Sequence, residues 1–283
     1  MNATSSQPSL SAEQRLLNDI SAQYPNLSRQ LKLIGKYVET HREHLAIEGI
    51  QEVAAACGVQ PSAVVRFAKH FGFTGFTEMQ KLFREAISLQ IAPGRNYQAR
   101  IRDAIKVNDP LASTDIARQF LGGSIAGMQE LLGTLDRSDF DQAVELLAGA
   151  DSIWLVGMRR SFSIASYLDY ALQHTDKRVA LIGALGGMQE GQLRSLRKGD
   201  VLLAISFAPY APETLAIAEA ASQRGARIIA LTDSRLSPLA EQAEAVLCVQ
   251  ENISFGFRSL TSAIGLAQSL FIALAYRLEL DGQ

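Results

Sequence analysis

Between Ile50 and Lys69 apolar positions fall at helical spacing twice, with a break in between. Ile50, Val53, Ala54 and Cys57 recur at i, i+3, i+4 and i+7, one face of a first helix. Gly58 supplies a turn, since a residue without Cβ takes positive φ without steric cost. Pro61 follows where a helix begins and a missing N–H costs nothing. In the second helix Val64, Phe67, Ala68 and Phe71 point inward, while Ser62, Arg66, Lys69 and His70 share the outer face. The pattern predicts a helix-turn-helix whose outer face is polar, cationic and free of acid. A helix entering a DNA major groove needs such a face, because phosphates attract Lys and Arg while base edges need hydrogen-bonding groups. The candidate DNA-contacting residues are Gln60, Ser62, Ala63, Arg66, Lys69 and His70. The plain alternative, two short helices packed in an ordinary core, is outweighed by the small Ala54, the glycine four residues on and the acid-free face.

The rest of the chain divides by rhythm. Residues 1–10 are polar and read as a disordered tail. Helical patterns cover 13–23 and 27–40, then the helix-turn-helix. Gly72 to Phe76 is a tight turn, after which Thr77 is expected to cap a helix through Ser88 with Met79, Leu82, Phe83 and Ile87 inside. Pro93-Gly94 closes a helical domain over residues 11–92. A linker over 93–137, interrupted at Pro110, holds a helix from Ser113 to Leu135 whose apolar residues suggest packing against another element or subunit. Five β-rich runs follow: 152–157, 178–183, 201–206, 227–232 and 245–249. Helical patterns near 161–173, 188–197, 212–224, 238–243 and 259–278 separate or follow them. Runs that are apolar throughout are buried on both faces, so residues 138–283 are predicted to form a parallel sheet with helices on both sides. With strand order 2-1-3-4-5, a ligand pocket lies between the loops after the first and third strands, residues 157–161 and 206–210.

Composition narrows this picture. The 283 residues carry a net charge of −2, so a nucleic-acid surface must be local. It is local: Arg66, Lys69, Lys81, Arg84, Arg95 and Arg100 face only Glu78 and Glu85 over residues 60–100. Cys57 and Cys248 sit in separate apolar patterns and read as buried free thiols; no zinc spacing exists, and no metal or cofactor is expected. The first residues lack the pattern of a signal peptide, and the uncharged stretch from Leu260 to Tyr276 reads as a buried helix rather than a membrane span. The expectation is a soluble cytoplasmic protein.

Four stretches together resemble the RpiR family of bacterial transcriptional regulators: VAAACGVQPSAVVRFAKHFGFTGFTEMQ at 53–80, IWLVGMRRS at 153–161, VLLAISFAPYAPET at 201–214 and IIALTDSRLSPLAEQAE at 228–244. The resemblance implies an all-α helix-turn-helix domain joined to an α/β SIS (sugar isomerase) domain with a five-stranded parallel sheet of flavodoxin-like order. It implies control of genes of carbohydrate or related metabolism, binding to double-stranded operator DNA as a homodimer or homotetramer, and a sugar phosphate as the usual effector. Gly157, Ser161 and Ser206 keep the family's effector-loop pattern; Arg159, Arg160, Thr232 and Ser234 are further candidates for the effector site, and Tyr210 is either a ligand contact or an exposed loop residue. Two loops depart from the pattern. Arg159 stands where the second glycine of Gly-x-Gly-x-Ser belongs, and Ala208, Pro209 and Ala211 replace the Ser, Gly and Thr of Ser-x-Ser-Gly-x-Thr. Either Arg159 and Arg160 hold an anionic effector, a phosphate or a carboxylate, by charge, or they bridge to acids across a subunit contact and the pocket is degenerate. Ser237 before Pro238 reads foremost as a helix N-cap.

A sugar-phosphate isomerase with a helical appendage is the alternative. It needs a positioned acid–base group, for which Glu251 and His174 are the candidates; loss of the loop hydroxyls weighs against it, and no catalytic residue is assigned. A scaffold protein without either activity is the third reading, and it predicts no salt-dependent affinity for DNA.

Overall fold

In the computed structural model, residues 12–90, 105, 112–183 and 185–281 are described. The expected tail at 1–10, the Pro93-Gly94 and Pro110 breaks, and Arg95 and Arg100 lie outside them. The chain forms two compact units: residues up to Ala126 together with Asn252–Arg258, and Gly127–Glu251 together with the residues from Ser259 on.

Among the described residues of the first unit, six α-helices precede the linker: α1 (Ala12–Gln23), α2 (Arg29–Thr40), α3 (Arg42–Leu45), α4 (Ile50–Ala56), α5 (Pro61–His70) and α6 (Phe76–Gln90). Glycine ends α4 and α5 in the same way. Gly58 and Gly72 have φ of 63° and 87°, and the next residue's N–H reaches back five positions, Val59 to the Ala54 carbonyl (2.9 Å) and Phe73 to that of Ala68 (3.1 Å). Ile20, Ile34, Val38, Val53, Val64, Phe67, Met79 and Phe83 are fully buried and fill the core. The last helix departs from expectation: it begins at Phe76 rather than after Thr77, and the Thr74 N–H and hydroxyl both donate to Glu78 Oε2 (2.6 and 2.8 Å). These bonds hold the Glu78 carboxyl below its ordinary range.

Helix α7 (Ser113–Thr134) carries the chain from the first unit into the second. The sequence pattern missed a short hairpin in the first unit. Strands β6 (Ile253–Ser254) and β7 (Phe257–Arg258) pair antiparallel across Phe255 and Gly256, both at positive φ. A Cβ at Gly123 of α7 would run into the side chain of Asn252 beside that hairpin.

The second unit is built on β1 (Ile153–Gly157), β2 (Val179–Leu181), β3 (Val201–Ile205), β4 (Arg227–Thr232) and β5 (Ala245–Cys248), all parallel in the order β2-β1-β3-β4-β5. Alternate strand residues feed two cores, as the period of a strand requires. Ile153, Leu155, Val201, Leu203 and Ile229 pack with α8 (Arg137–Ala148), α9 (Phe162–Leu172) and α12 (Thr261–Asp281). Trp154, Val156, Leu202, Ala204 and Ile228 pack on the other face with α11 (Pro212–Gln223) and with Leu196, which follows α10 (Gln189–Ser195). The expected helix over 238–243 is only a 3-10 turn at Ala240–Gln242, introduced by Ser237 Oγ accepting the Ala240 N–H (3.2 Å). Helix α12 is the one described helix long and apolar enough to cross a membrane by length and composition, but its Ala263, Leu266, Ala267, Leu270 and Leu274 are buried in the sheet's core.

Candidate nucleic-acid interface and effector loops

Helix α5 owes its two faces to a four-residue echo. Ala63 and Phe67, and Val64 and Ala68, recur one turn apart, and all four are fully buried. Gln60, Ser62, Arg66, Lys69 and His70 are exposed on the other side. Ala63 is therefore corrected: its Cβ faces the core and cannot meet a base edge. The remaining five share one surface, and the partners of two of them are neutral. Arg66 Nη2 donates to Gln30 Oε1 (3.0 Å), and His70 Nε2 lies 2.9 Å from Gln23 Oε1. An amide carbonyl orients a guanidinium without neutralising it, so the face keeps its charge. Arg84 does not join it: Nε donates to the Ala46 carbonyl and Nη2 to Gln80 Oε1, both at 2.8 Å, fixing the arginine to its own unit. Lys81 is exposed.

At the carboxyl ends of β1, β3 and β4 three loops come together. Gly157 is buried, and a Cβ there would stand 2.7 Å from the Ser161 carbonyl oxygen, so the chain can reverse so tightly only with glycine. Arg159 occupies the left-handed region at φ 58°, the conformation glycine adopts freely and an arginine holds at a cost of about 1–3 kcal/mol. Its Nη2 lies 3.5 Å from Glu213 Oε1 at the start of α11, both side chains about half exposed. Arg159 thus meets an acid of its own chain. The Glu213 carboxyl is held below its ordinary range by its own backbone N–H and then by this guanidinium. Arg160 is half-buried and Ser161 buried.

The loop after β3 is occupied from within. Ser206 Oγ accepts the Ala211 N–H (3.1 Å), and the buried Asp233 accepts the Ala208 N–H through Oδ2 (3.1 Å). Two backbone donors that an anion at this loop would use already have oxygen partners. Thr232 is fully buried with its hydroxyl 3.5 Å from Asp233 Oδ1, and Ser234 Oγ accepts the Leu236 N–H (3.1 Å). These two side chains shape the loop after β4. Tyr210 is half-buried. Of the proposed isomerase groups, Glu251 Oε1 accepts the Ala263 N–H (2.8 Å), capping α12, and His174 is exposed with its ring edge-on to Tyr170.

Sequence reasoning missed the acids here. Glu213 and Asp233 line the very loops in which it sought an anion. The signal was Pro212-Glu213, an acid in a first helical turn, where the helix dipole favours it. Among the described residues no group of three or more His, Cys, Asp or Glu is placed to hold a metal.

Comparison with known proteins agrees with this geometry. Residues 14–90 match the helix-turn-helix domain of the rpiR family, and residues 146–276 match the SIS domain. An HTH-type transcriptional regulator of Haemophilus influenzae is 28% identical over 269 residues, 95% of this chain and 91% of that protein. The sugar isomerase domain of an RpiR transcription factor from Sphaerobacter thermophilus superposes with a TM-score of 0.55 at 27% identity, over 58% of this chain and 91% of that one. NanR of Vibrio vulnificus, complexed with ManNAc-6P, shares the fold at 18% identity and a TM-score of 0.52, over 93% and 92% of the two chains. With both domains present in this order, the chain belongs to the RpiR family of helix-turn-helix transcriptional regulators that carry a SIS domain.

Proposed function

We propose that this protein regulates genes of carbohydrate or related catabolism, reading operator DNA through α5 and sensing an anionic metabolite at the loops after β1, β3 and β4. The observation that carries the first half is the outer face of α5. Gln60 and Ser62 offer hydrogen-bonding groups, and Arg66, Lys69 and His70 follow along the same side, with neutral partners for Arg66 and His70. A homodimer or homotetramer presents two such helices to a two-fold-related site.

The second half rests on Arg159. An arginine held at positive φ where the family carries glycine implies a role that offsets the strain. The effector is a sugar phosphate, the class that NanR of V. vulnificus binds, or an organic acid; either has oxygens for a guanidinium fork. The protein acts without catalysis in this reading, because Glu251 is committed to the start of α12. Its place is the cytoplasm, beside the genes it controls.

Titrating the purified chain against its own upstream DNA tests the reading. Specific binding should weaken linearly on a log–log plot as salt rises, with a slope of about −0.9 per phosphate contacted. No binding to any upstream fragment at low salt would overturn it. Turnover of any of a panel of sugar phosphates would favour the isomerase instead.

A further inference from the structure

At the opposite end of the sheet, where β2, β1 and β3 begin, lies a cavity of about 250 Å³ lined by Asp151, Ser152, Trp154, Arg178, Ser195, Arg197, Lys198 and Asp200. Both acids are built into its walls. Asp200 is buried, and its Oδ2 accepts from the Trp154 indole N–H (3.2 Å) and the Arg197 backbone N–H (2.9 Å). Asp151 lies against Gly199, which has φ 99° and where a Cβ would run into that carboxylate; the Asp151 N–H in turn donates to the Gly199 carbonyl (3.0 Å).

The three cations are differently placed. Arg178 spends only Nε, on the Asp151 carbonyl (3.2 Å), which orients the fork and leaves both Nη groups. Arg197, Lys198 and Arg178 are exposed, and among the described residues no acid pairs with any of the three side chains. The cations come from two connections, the one before β2 and the one before β3, that converge because β1 lies between those strands. The two wall carboxylates offset part of this charge and leave the lining with one net positive charge, so an anion is favoured over a cation there. The hydroxyls of Ser152 and Ser195 add neutral donors to the same wall.

We propose that this crevice is a second anion site, taking a small, multiply charged, phosphate-bearing ligand. It stands apart from the effector loops by the length of β1, five residues or about 16 Å. Asp200 is held in the wall by the Trp154 and Arg197 N–H donors, the three cations are exposed, and arginine forks match the oxygens of a phosphate better than those of a monocarboxylate.

The chain contains a single tryptophan, and it lines this cavity, so its emission is a one-residue reporter at the site. The experiment titrates the full chain with inorganic pyrophosphate at constant ionic strength while following Trp154 fluorescence. A saturable change is expected, weakened about tenfold or more when Arg197→Gln and Lys198→Gln are combined, and retained in Arg159→Gln. That last variant separates this site from the effector loops, so either reading can fail without the other. Arg178→Gln provides an independent variant should the double one misfold. The proposal is overturned by the absence of a saturable change up to about 10 mM, by an unchanged curve in both cation variants, or by an equal response to sodium chloride. A response to short duplex DNA but not to pyrophosphate also overturns it, in favour of a surface for nucleic-acid backbone.

Discussion

Arg66 on α5 and Arg159 after β1 are both exposed arginines of a proposed binding surface, yet they keep opposite company. Arg66 is steered by a neutral amide, Gln30, whereas Arg159 faces the carboxylate of Glu213. The first surface is charged before its partner arrives, so it attracts phosphates at long range and pays little to engage them. The second is internally balanced: an incoming anion must take over Arg159 from Glu213, and the Ala208 and Ala211 N–H groups from Asp233 and Ser206. On the proposed reading one surface is ready to bind, and the other would bind by exchange. That contrast suits the proposed reading, in which long-range attraction brings the chain to DNA while an effector has to displace an internal partner.

The largest expected effect removes the support under the DNA surface. Phe67→Ala empties a fully buried site in the first unit and should cost that unit about 3–5 kcal/mol in chemical denaturation, leaving the unfolding of the sheet unit in place. A single shifted transition for both units would show that they unfold together. Next, Arg66→Ala should lower discrimination between operator and random DNA by about 1–3 kcal/mol in competition binding. An equal loss on both DNAs would reduce Arg66 to a backbone contact.

A smaller effect tests exchange directly. Glu213→Gln frees Arg159 from an exposed ion pair worth about 0.2–1 kcal/mol, so a responsive anion from a thermal-shift panel should bind up to about fivefold tighter, and Arg159→Ala should abolish its influence on DNA binding. Because the Glu213 carboxyl is held below its ordinary range, the pair persists above that range and is lost as pH falls through the lowered value. Competition by Glu213 should therefore relax only in distinctly acidic buffer. Unaltered affinity in Glu213→Gln would end the idea of exchange.

The smallest effect concerns Cys57 at the end of α4. Burial first, and then Glu48, pushes its thiol up to about 11. Alkylation of the native chain at pH 8 should spare it, as peptide mapping would show. The neutral thiol is the form the fold favours, so its contribution is complete below the unfolded pKa near 9 and is lost as pH rises towards 11. Thermal unfolding followed over that window should show a modest fall that Cys57→Ala reduces.

Much of the fold was legible because its signals are local. Five apolar runs specified a buried parallel sheet, and Gly58 with Pro61 marked the turn into α5. Errors arose where a residue's neighbours across space decide its role. Ala63 adjoins the exposed Ser62 in sequence, but its spacing of four to Phe67 puts it in the core. The run from Pro238 to Ala243 has helix-forming residues but too few of them between Ser237 and β5 for more than one turn. Glu251, a candidate only in the isomerase alternative, places one carboxylate oxygen on the Ala263 N–H at the start of α12. The pairing of Arg159 with Glu213 spans 54 positions, 213 minus 159, and no local pattern announces it.

Helix α5 is bracketed by its turns to ten residues, about 15 Å of length. At 3.4 Å per base pair that reaches roughly four consecutive pairs. Four letters recur by chance about once in 256 positions, far too often to mark a unique address among the ~10⁶ or more competing sites of a genome. On the proposed reading a single chain would recognise a word but not a location, and selective control would call for two or more copies spelling the operator together.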